Sequence, residues 1–309
     1  MVFENLEDIK ALSLEDKKSQ LAPSNSYKLI QSPHSSNMML NPLKLKHLNN
    51  LDNLSAHAVT LNLEDAIAPS KKEEALINIA LFLSNLKQTK SEIIVRINPL
   101  DNGGLEEAEF LKEYCFNAIR VSKIKSFKQI EQLSKILPSN KKIHISLETK
   151  EAFRDLANWG GNKQFKRANL GILDLLADLK LPQSTLKIKN ETISYILTKF
   201  LTDAKIAEVE PVSFMFQDYK NTKAFREFCL WERSLGFTSK ACMGPAQVDI
   251  ANKIFTTTQE DINRAKEIIK LFETNSKKGI NGFMHSQYGF IDEPIYKDAL
   301  NVIYGYNIH

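Results

Sequence analysis

Along this chain, short runs of alternating or continuous apolar residues, rich in Val, Ile and Leu, take turns with longer stretches whose apolar positions fall three or four apart. The first pattern suits strands and the second amphipathic helices, and their regular alternation is the mark of repeated βα units around a parallel sheet. The strand candidates are YKLIQSP (27–33), HAVTLNL (57–63), EIIVRIN (92–98), NAIRVS (117–122), KIHISLE (142–148), ANLGIL (168–173), AEVEPVSF (207–214) and SKACMG (239–244). Helical stretches between them include KKEEALINIALFLSNL, SFKQIEQLSKIL, ETISYILTKFLTDAKI and TKAFREFCLWERSL.

An open doubly wound sheet would fit the same alternation. No GxGxxG follows a strand, however, and eight strands are what closure requires, so the pattern predicts an α/β fold of the (β/α)8 TIM barrel kind. Residues 1–26, with a short helical pattern and a Pro/Ser/Asn break, read as an N-terminal appendage, 27–275 as the barrel and 276–309 as a C-terminal extension. Helices are expected around 259–275 and 294–304. The aromatic residues Phe283, Tyr288, Phe290 and Tyr296 need something to bury against, so the extension is expected to cover its own or a neighbouring protomer's barrel mouth.

Composition narrows the partners. Apolar residues make up 43% and charged residues 25% of the 309, as in an average globular protein. Forty-one Lys and Arg against 37 Asp and Glu leave +4, scattered without a basic run, so nucleic acid is not implied. Cys115, Cys229 and Cys242 are far apart, form no CxxC, and read as reduced, buried thiols. The six histidines make no i,i+4 pair, which argues against an imidazole metal cage. The polar, acidic opening lacks the pattern of a secretory leader and no long apolar run occurs, so no membrane partner and a cytoplasmic location are expected.

In such a barrel the chemistry sits at the carboxyl ends of the strands. Four ends stand out: LNLEDAIAP with Glu64 and Asp65, VRINPLD with Arg96 and Asn98, SLET with Glu148, and GILDLLAD with Asp174. Glu148 and Asp174 would reach one mouth from adjacent strands, which suits Mg2+, a cation that takes one or two carboxylates and keeps waters and substrate oxygens for the rest. The structural alternative is that they cap helices. Arg96 interrupts an apolar strand, and a buried guanidinium needs either Glu64 or Asp65 as an internal partner or an anionic ligand. Lys123 could point to the same mouth or simply be solvated.

LNLEDAIAPSKKEEA resembles the LDLEDAV-AP-xK segment of the citrate lyase β-subunit group within the HpcH/HpaI aldolase superfamily. VRINPLD, SLET, GILDLLADL, LGFTSKACMGPAQVDIANKIF and YGFIDEPIYKDA follow in that group's order. The resemblance covers roughly residues 27–305. It implies Glu148 and Asp174 as magnesium ligands, Arg96 as the contact to a keto acid or enolate, and Glu64 and Asp65 as the acids that hold it. Asp292 would be an acid/base presented to a neighbouring subunit. It further implies cleavage or formation of a bond between an α-keto acid (pyruvate, oxaloacetate or glyoxylate) and an acyl thioester of CoA or an acyl carrier, by a homotrimer.

Several positions depart from the group's text. The arginine of RS-xLFVPG is absent from YKLIQSPHSS, leaving Lys28 nearby, and Asn62, Glu151, Leu173 and Gly244 replace other usual residues. Two other readings therefore stay open: a non-catalytic binding or scaffold subunit, and an aldolase acting on a free hydroxy-keto acid.

Overall fold

The computed structural model describes residues 2–23, 28–29 and 34–307. Eight parallel strands form one sheet: β1 (Ser36–Leu40), β2 (Ala58–Asn62), β3 (Glu92–Ile97), β4 (Ala118–Val121), β5 (Lys142–Leu147), β6 (Phe165–Leu170), β7 (Glu210–Val212) and β8 (Lys240–Cys242). They are ordered β8-β1-β2-β3-β4-β5-β6-β7. A parallel bridge between Ser213 and Lys240 joins the two ends; Ser213 donates its N–H to the Ser239 carbonyl (2.9 Å) and accepts from the Ala241 N–H (3.0 Å). The sheet is thus a closed (β/α)8 barrel.

Alternation along the strands explains the two layers. Val59 and Leu61, Ile93, Val95 and Ile97, Ile119 and Val121, and Ile143, Ile145 and Leu147 are all fully buried in the main apolar core, where the helices pack on the outside of the barrel. The intervening residues point inward, and they are mostly polar: Thr60, Asn62, Arg96, Arg120, Ser122, His144, Ser146, Arg167 and Asn169 are buried too. A small plug of Ala58, Ile94 and Ala118 is the apolar part of this interior. At its amino end Arg167 of β6 reaches across to Glu92 of β3 (2.9 Å), which also lies 3.1 Å from His34.

Two strand expectations need correction. Of residues 27–33, only Lys28–Leu29 are described; they pair with Gln88–Thr89 outside the barrel, while 27 and 30–33 fall outside the described residues. The barrel's first strand is instead SNMML, a run with no β-branched residue. It is held by neighbours on both sides, β8 and β2, and burial overrides its poor intrinsic propensity. In the sixth, the strand runs over Phe165–Leu170 and not 168–173, because Gly171 breaks it and Ile172–Asp178 winds into a helix. The four helical stretches fall where expected, at Lys72–Asn85, Phe127–Ile136, Glu191–Ile206 and Thr222–Leu235.

The chain divides into two compact units, residues 1–255 and 256–309. In the second, helix Gln259–Ser276, a hairpin of β9 (Gly282–His285) and β10 (Gly289–Asp292), and helix Glu293–Asn307 surround their own core of Ala265, Ile268, Phe272, Ile291 and Ala299. The sequence boundary drawn at 275/276 thus separates a helix from the partners it packs with. Phe283, Tyr288 and Tyr296 pack on this core, and Tyr296 stacks on Phe272 at 4.6 Å. Phe290 stays exposed beside its cross-strand partner Met284. The three cysteines are free, Cys229 and Cys242 buried and Cys115 partly so. Among the described residues no helix is long and apolar enough to cross a membrane.

Candidate active site

The turn after β2 is built by its own side chains. Asn62 accepts the Glu64 N–H through Oδ1 (3.3 Å) and donates through Nδ2 to the Asp65 carbonyl. Lys72, at the start of its helix, donates to the Glu64 carbonyl (2.7 Å) and to Oδ1 of Asn98 (2.9 Å), tying this turn to the end of β3. Asn98 in turn donates to the Leu63 carbonyl (3.2 Å) and to Glu107, so its amide is spent on protein partners. Ala66 closes the turn at φ 68°, a left-handed conformation that costs an L-residue about 1–2 kcal/mol. Lys123, after β4, is held similarly at φ 50°. Strain of this kind persists only where the surrounding structure over-determines it.

Arg96 sits at the centre. Its Nε donates to Ser122 Oγ (3.0 Å), and one terminal nitrogen lies 2.8 Å from Glu64 Oε2 and 2.9 Å from Glu148 Oε1, with Asp65 Oδ2 at 3.9 Å. Lys123 completes the ring: its ammonium is 2.8 Å from Glu64 Oε1, and its backbone N–H donates to Glu148 Oε2 (3.1 Å). Burial would raise the Glu64 carboxyl, but the charge of Arg96 and the hydrogen bonds of Asp65 and Lys123 outweigh it and hold the group near 2. Asp65 moves the other way, raised by burial and then by the bond and charge of Glu64. The site therefore pairs an acid whose ionised form is favoured with a neighbour that holds its proton more readily.

Glu148 and Asp174 both line the cleft above this network, a cavity of about 790 Å³ that also includes Glu64, Asp65, Lys72, Asn98 and Lys123. The Asp174 carboxyl is raised by lost solvation and then by the charge of Asp65, and among the described residues it takes no hydrogen bond. A cation placed between it and Glu148 would relieve both effects. Two carboxylates that line one cleft, Asp174 exposed and Glu148 buried at its wall, fit magnesium, whereas among the described residues no group of three or more His, Cys, Asp or Glu could enclose a metal.

Gly171 sets the height of Glu148: a Cβ there would overlap Glu148 Cγ and lie 2.8 Å from its Oε1. Gly171→Ala is accordingly expected to push the Glu148 carboxylate off Arg96 and, if Glu148 and Asp174 hold Mg2+, to weaken its binding by roughly 10–100-fold, the loss usual when a residue orienting a metal ligand is disturbed. Calorimetric titration with MgCl2 reads this directly, and unchanged affinity would show that the glycine serves only the turn.

Asp292 belongs to the second unit, where its Oδ1 accepts the Ile295 N–H (3.2 Å) and caps the last helix. Arg120 was passed over in the sequence although NAIRVS carries the same signal as IIVRIN, a cation at an inward position of a barrel strand. It pairs side by side with Arg96 in the β3–β4 ladder.

The family model for HpcH/HpaI aldolase/citrate lyase matches residues 39–245. Citrate lyase subunit beta of Haemophilus influenzae is 22% identical, the match covering 80% of this chain and 87% of that protein. Mitochondrial citramalyl-CoA lyase of Rattus norvegicus is 23% identical, with 84% and 81% covered. Among solved structures, CitE of Mycobacterium tuberculosis in complex with magnesium, acetoacetate and coenzyme A superposes with a TM-score of 0.69 over 90% of this chain and all of that one, at 16% identity. At that identity the superposition establishes the shared barrel.

Proposed function

Because the chain belongs to the HpcH/HpaI aldolase/citrate lyase family, we propose that it is a Mg2+-dependent carbon–carbon lyase that cleaves or forms the bond between an α-keto acid and an acyl thioester. The observation that carries this reading is the convergence of Glu148 and Asp174 on one cleft directly above the Arg96 network. The magnesium, acetoacetate and coenzyme A bound by the M. tuberculosis neighbour support the choice of metal and of ligand class.

In this reading Glu148 and Asp174 hold the metal, which when bound acts as a Lewis acid on a substrate oxygen. Arg96 is already fixed by Glu64, Glu148 and Ser122, so its guanidinium meets developing negative charge without reorganising. Glu64 stays ionised and anchors both cations. Asp65, more exposed and with its carboxyl raised, is the group placed to take up or return a proton. Lys72 and Asn98 fix the walls.

A thermal-shift titration tests the proposal. MgCl2 together with pyruvate, oxaloacetate or glyoxylate should raise the melting temperature more than either component alone, since only the folded state binds them. Cleavage assays on a panel of CoA thioesters then identify the acyl half. No Mg2+-dependent shift with any keto acid would sink the reading. A second reading, an aldolase on a free hydroxy-keto acid, draws on β1: its own text, SSNMMLNP, carries no arginine for a carrier phosphate. Turnover without any thioester would favour it.

Self-association completes the proposal. Met284 and Phe290 lie opposite each other on the hairpin and are 75% and 55% exposed, an apolar pair suited to a neighbouring copy of the chain. The double variant Met284→Ser/Phe290→Ser is expected to sediment as a monomer at micromolar concentration where the unchanged chain sediments as an oligomer, a trimer in the family-based reading. A monomeric unchanged chain rules this out and removes Asp292 from any shared site.

A further inference from the structure

We propose that Arg120 anchors a second carboxylate of the substrate, so that the keto-acid half is a 2-oxo dicarboxylate in preference to a 2-oxo monocarboxylate. This rests on reading the barrel mouth as a keto-acid site. Arg120 is 5% exposed in the barrel interior, and one hydrogen bond holds it, from Nε to Ser146 Oγ (2.8 Å). Among the described residues no carboxylate lies within ion-pair distance of it. Its ladder neighbour Arg96, by contrast, is neutralised by Glu64 and Glu148.

A buried cation beside another cation, without a carboxylate of its own, is costly to keep. Burial, with the charge of Arg96 adding to it, pulls the guanidinium down to about 9, which still leaves it charged at neutral pH. Glu148 and Glu64 offset part of this from a distance, but among the described residues no carboxylate forms an ion pair with this interior charge.

Position supplies the ligand's chemistry. Ser146 and Glu148 share the inward face of β5, so Arg120 lies one inward layer, about 7 Å along the strand, below the carboxylate assigned to the metal. Arg120 lies beneath the residues that line the cleft, so a ligand seated on Glu148 and Asp174 would meet it only by extending a second anionic group on a short carbon arm below that lining. Asn169, the ladder partner of Ser146, is 1% exposed and leaves its Oδ1 without a hydrogen-bond partner. A planar guanidinium gives a carboxylate two parallel hydrogen bonds, which selects it over an uncharged methyl or hydrogen.

The test uses the whole chain, MgCl2, and two probes differing in that one group, oxaloacetate and pyruvate. The unchanged protein should bind oxaloacetate at least about 10-fold more tightly, and Arg120→Met should abolish the difference while pyruvate affinity stays within about 3-fold. Without ligand, Arg120→Met should melt higher than the unchanged protein, because it removes an unpaired buried charge. Arg120→Lys, which keeps the charge, should retain part of the preference. No preference in the unchanged protein, equal weakening of both probes, or a lower melting temperature of the ligand-free Met variant would each overturn the assignment. Should neither keto acid bind with Mg2+, malonate without metal separates the cases. Binding that Arg120→Met removes supports the carboxylate anchor while rejecting the keto-acid reading, and no binding rejects both.

Discussion

Replacing Arg96 with methionine is expected to lower turnover at least about 1,000-fold and to destabilise the fold by about 3–5 kcal/mol. The two effects have one origin. The guanidinium is the direct partner of two buried carboxylates, Glu64 and Glu148, at 2.8 and 2.9 Å, and its removal leaves both beside only Lys123. Glu64 would then rise from its depressed value, because the strongest of the influences that oppose burial is gone. The Arg96→Lys variant separates the effects: an ammonium can neutralise one carboxylate but cannot bridge two while also reaching Ser122. It should recover much of the stability and little of the activity. Urea unfolding and steady-state kinetics on the two variants decide the matter; full activity in Arg96→Lys would mean that charge alone, without the planar fork, suffices.

The second large effect concerns the carboxylate pair. Glu148→Gln and Asp174→Asn should each abolish the extra thermal stabilisation produced by Mg2+ with a keto acid, and turnover should fall with it by about 100-fold or more. They should differ in the absence of metal. Glu148 is a partner of Arg96, so its neutral variant weakens a buried ion pair and lowers the melting temperature. Asp174 has no hydrogen-bond or ion-pair partner among the described residues, so Asp174→Asn should leave the ligand-free fold unchanged or slightly firmer by removing repulsion from Asp65. Wild-type Mg2+ affinity in both variants would show that the metal binds elsewhere.

The sequence disclosed the barrel because outward positions such as Ile93, Val95 and Ile97 repeat with period two and helices intervene at regular distance. It misplaced the first strand because YKLI has the better intrinsic propensity, whereas SNMML becomes a strand through pairing on both edges, a tertiary property invisible locally. The strand-end acids and Arg96 were legible as charge where apolar text was expected. That Glu148 shares Arg96 with Glu64 was not, since β4 lies between β3 and β5 and a sequence contains no distances. Arg120 and Arg167 obeyed the same rule as Arg96 and were missed for different reasons. Arg120 lies inside the candidate strand NAIRVS, away from the strand end where chemistry is sought, and Arg167 falls outside a strand whose expected start is three residues late.

The Glu92–Arg167 pair at the amino end of the barrel joins residues 75 apart in sequence, on strands separated by two others. Each half keeps only a lesser partner for its member of this pair: a fragment ending after β4 would leave Glu92 with His34 but without Arg167, and the complementary fragment would leave Arg167 with Glu210 at 3.9 Å but without Glu92. Intermediates with four or five strands are thereby penalised relative to both the open chain and the completed cylinder. The barrel should accordingly assemble and melt in a single cooperative step, slowly, with its rate set by how rarely the chain brings β3 and β6 together.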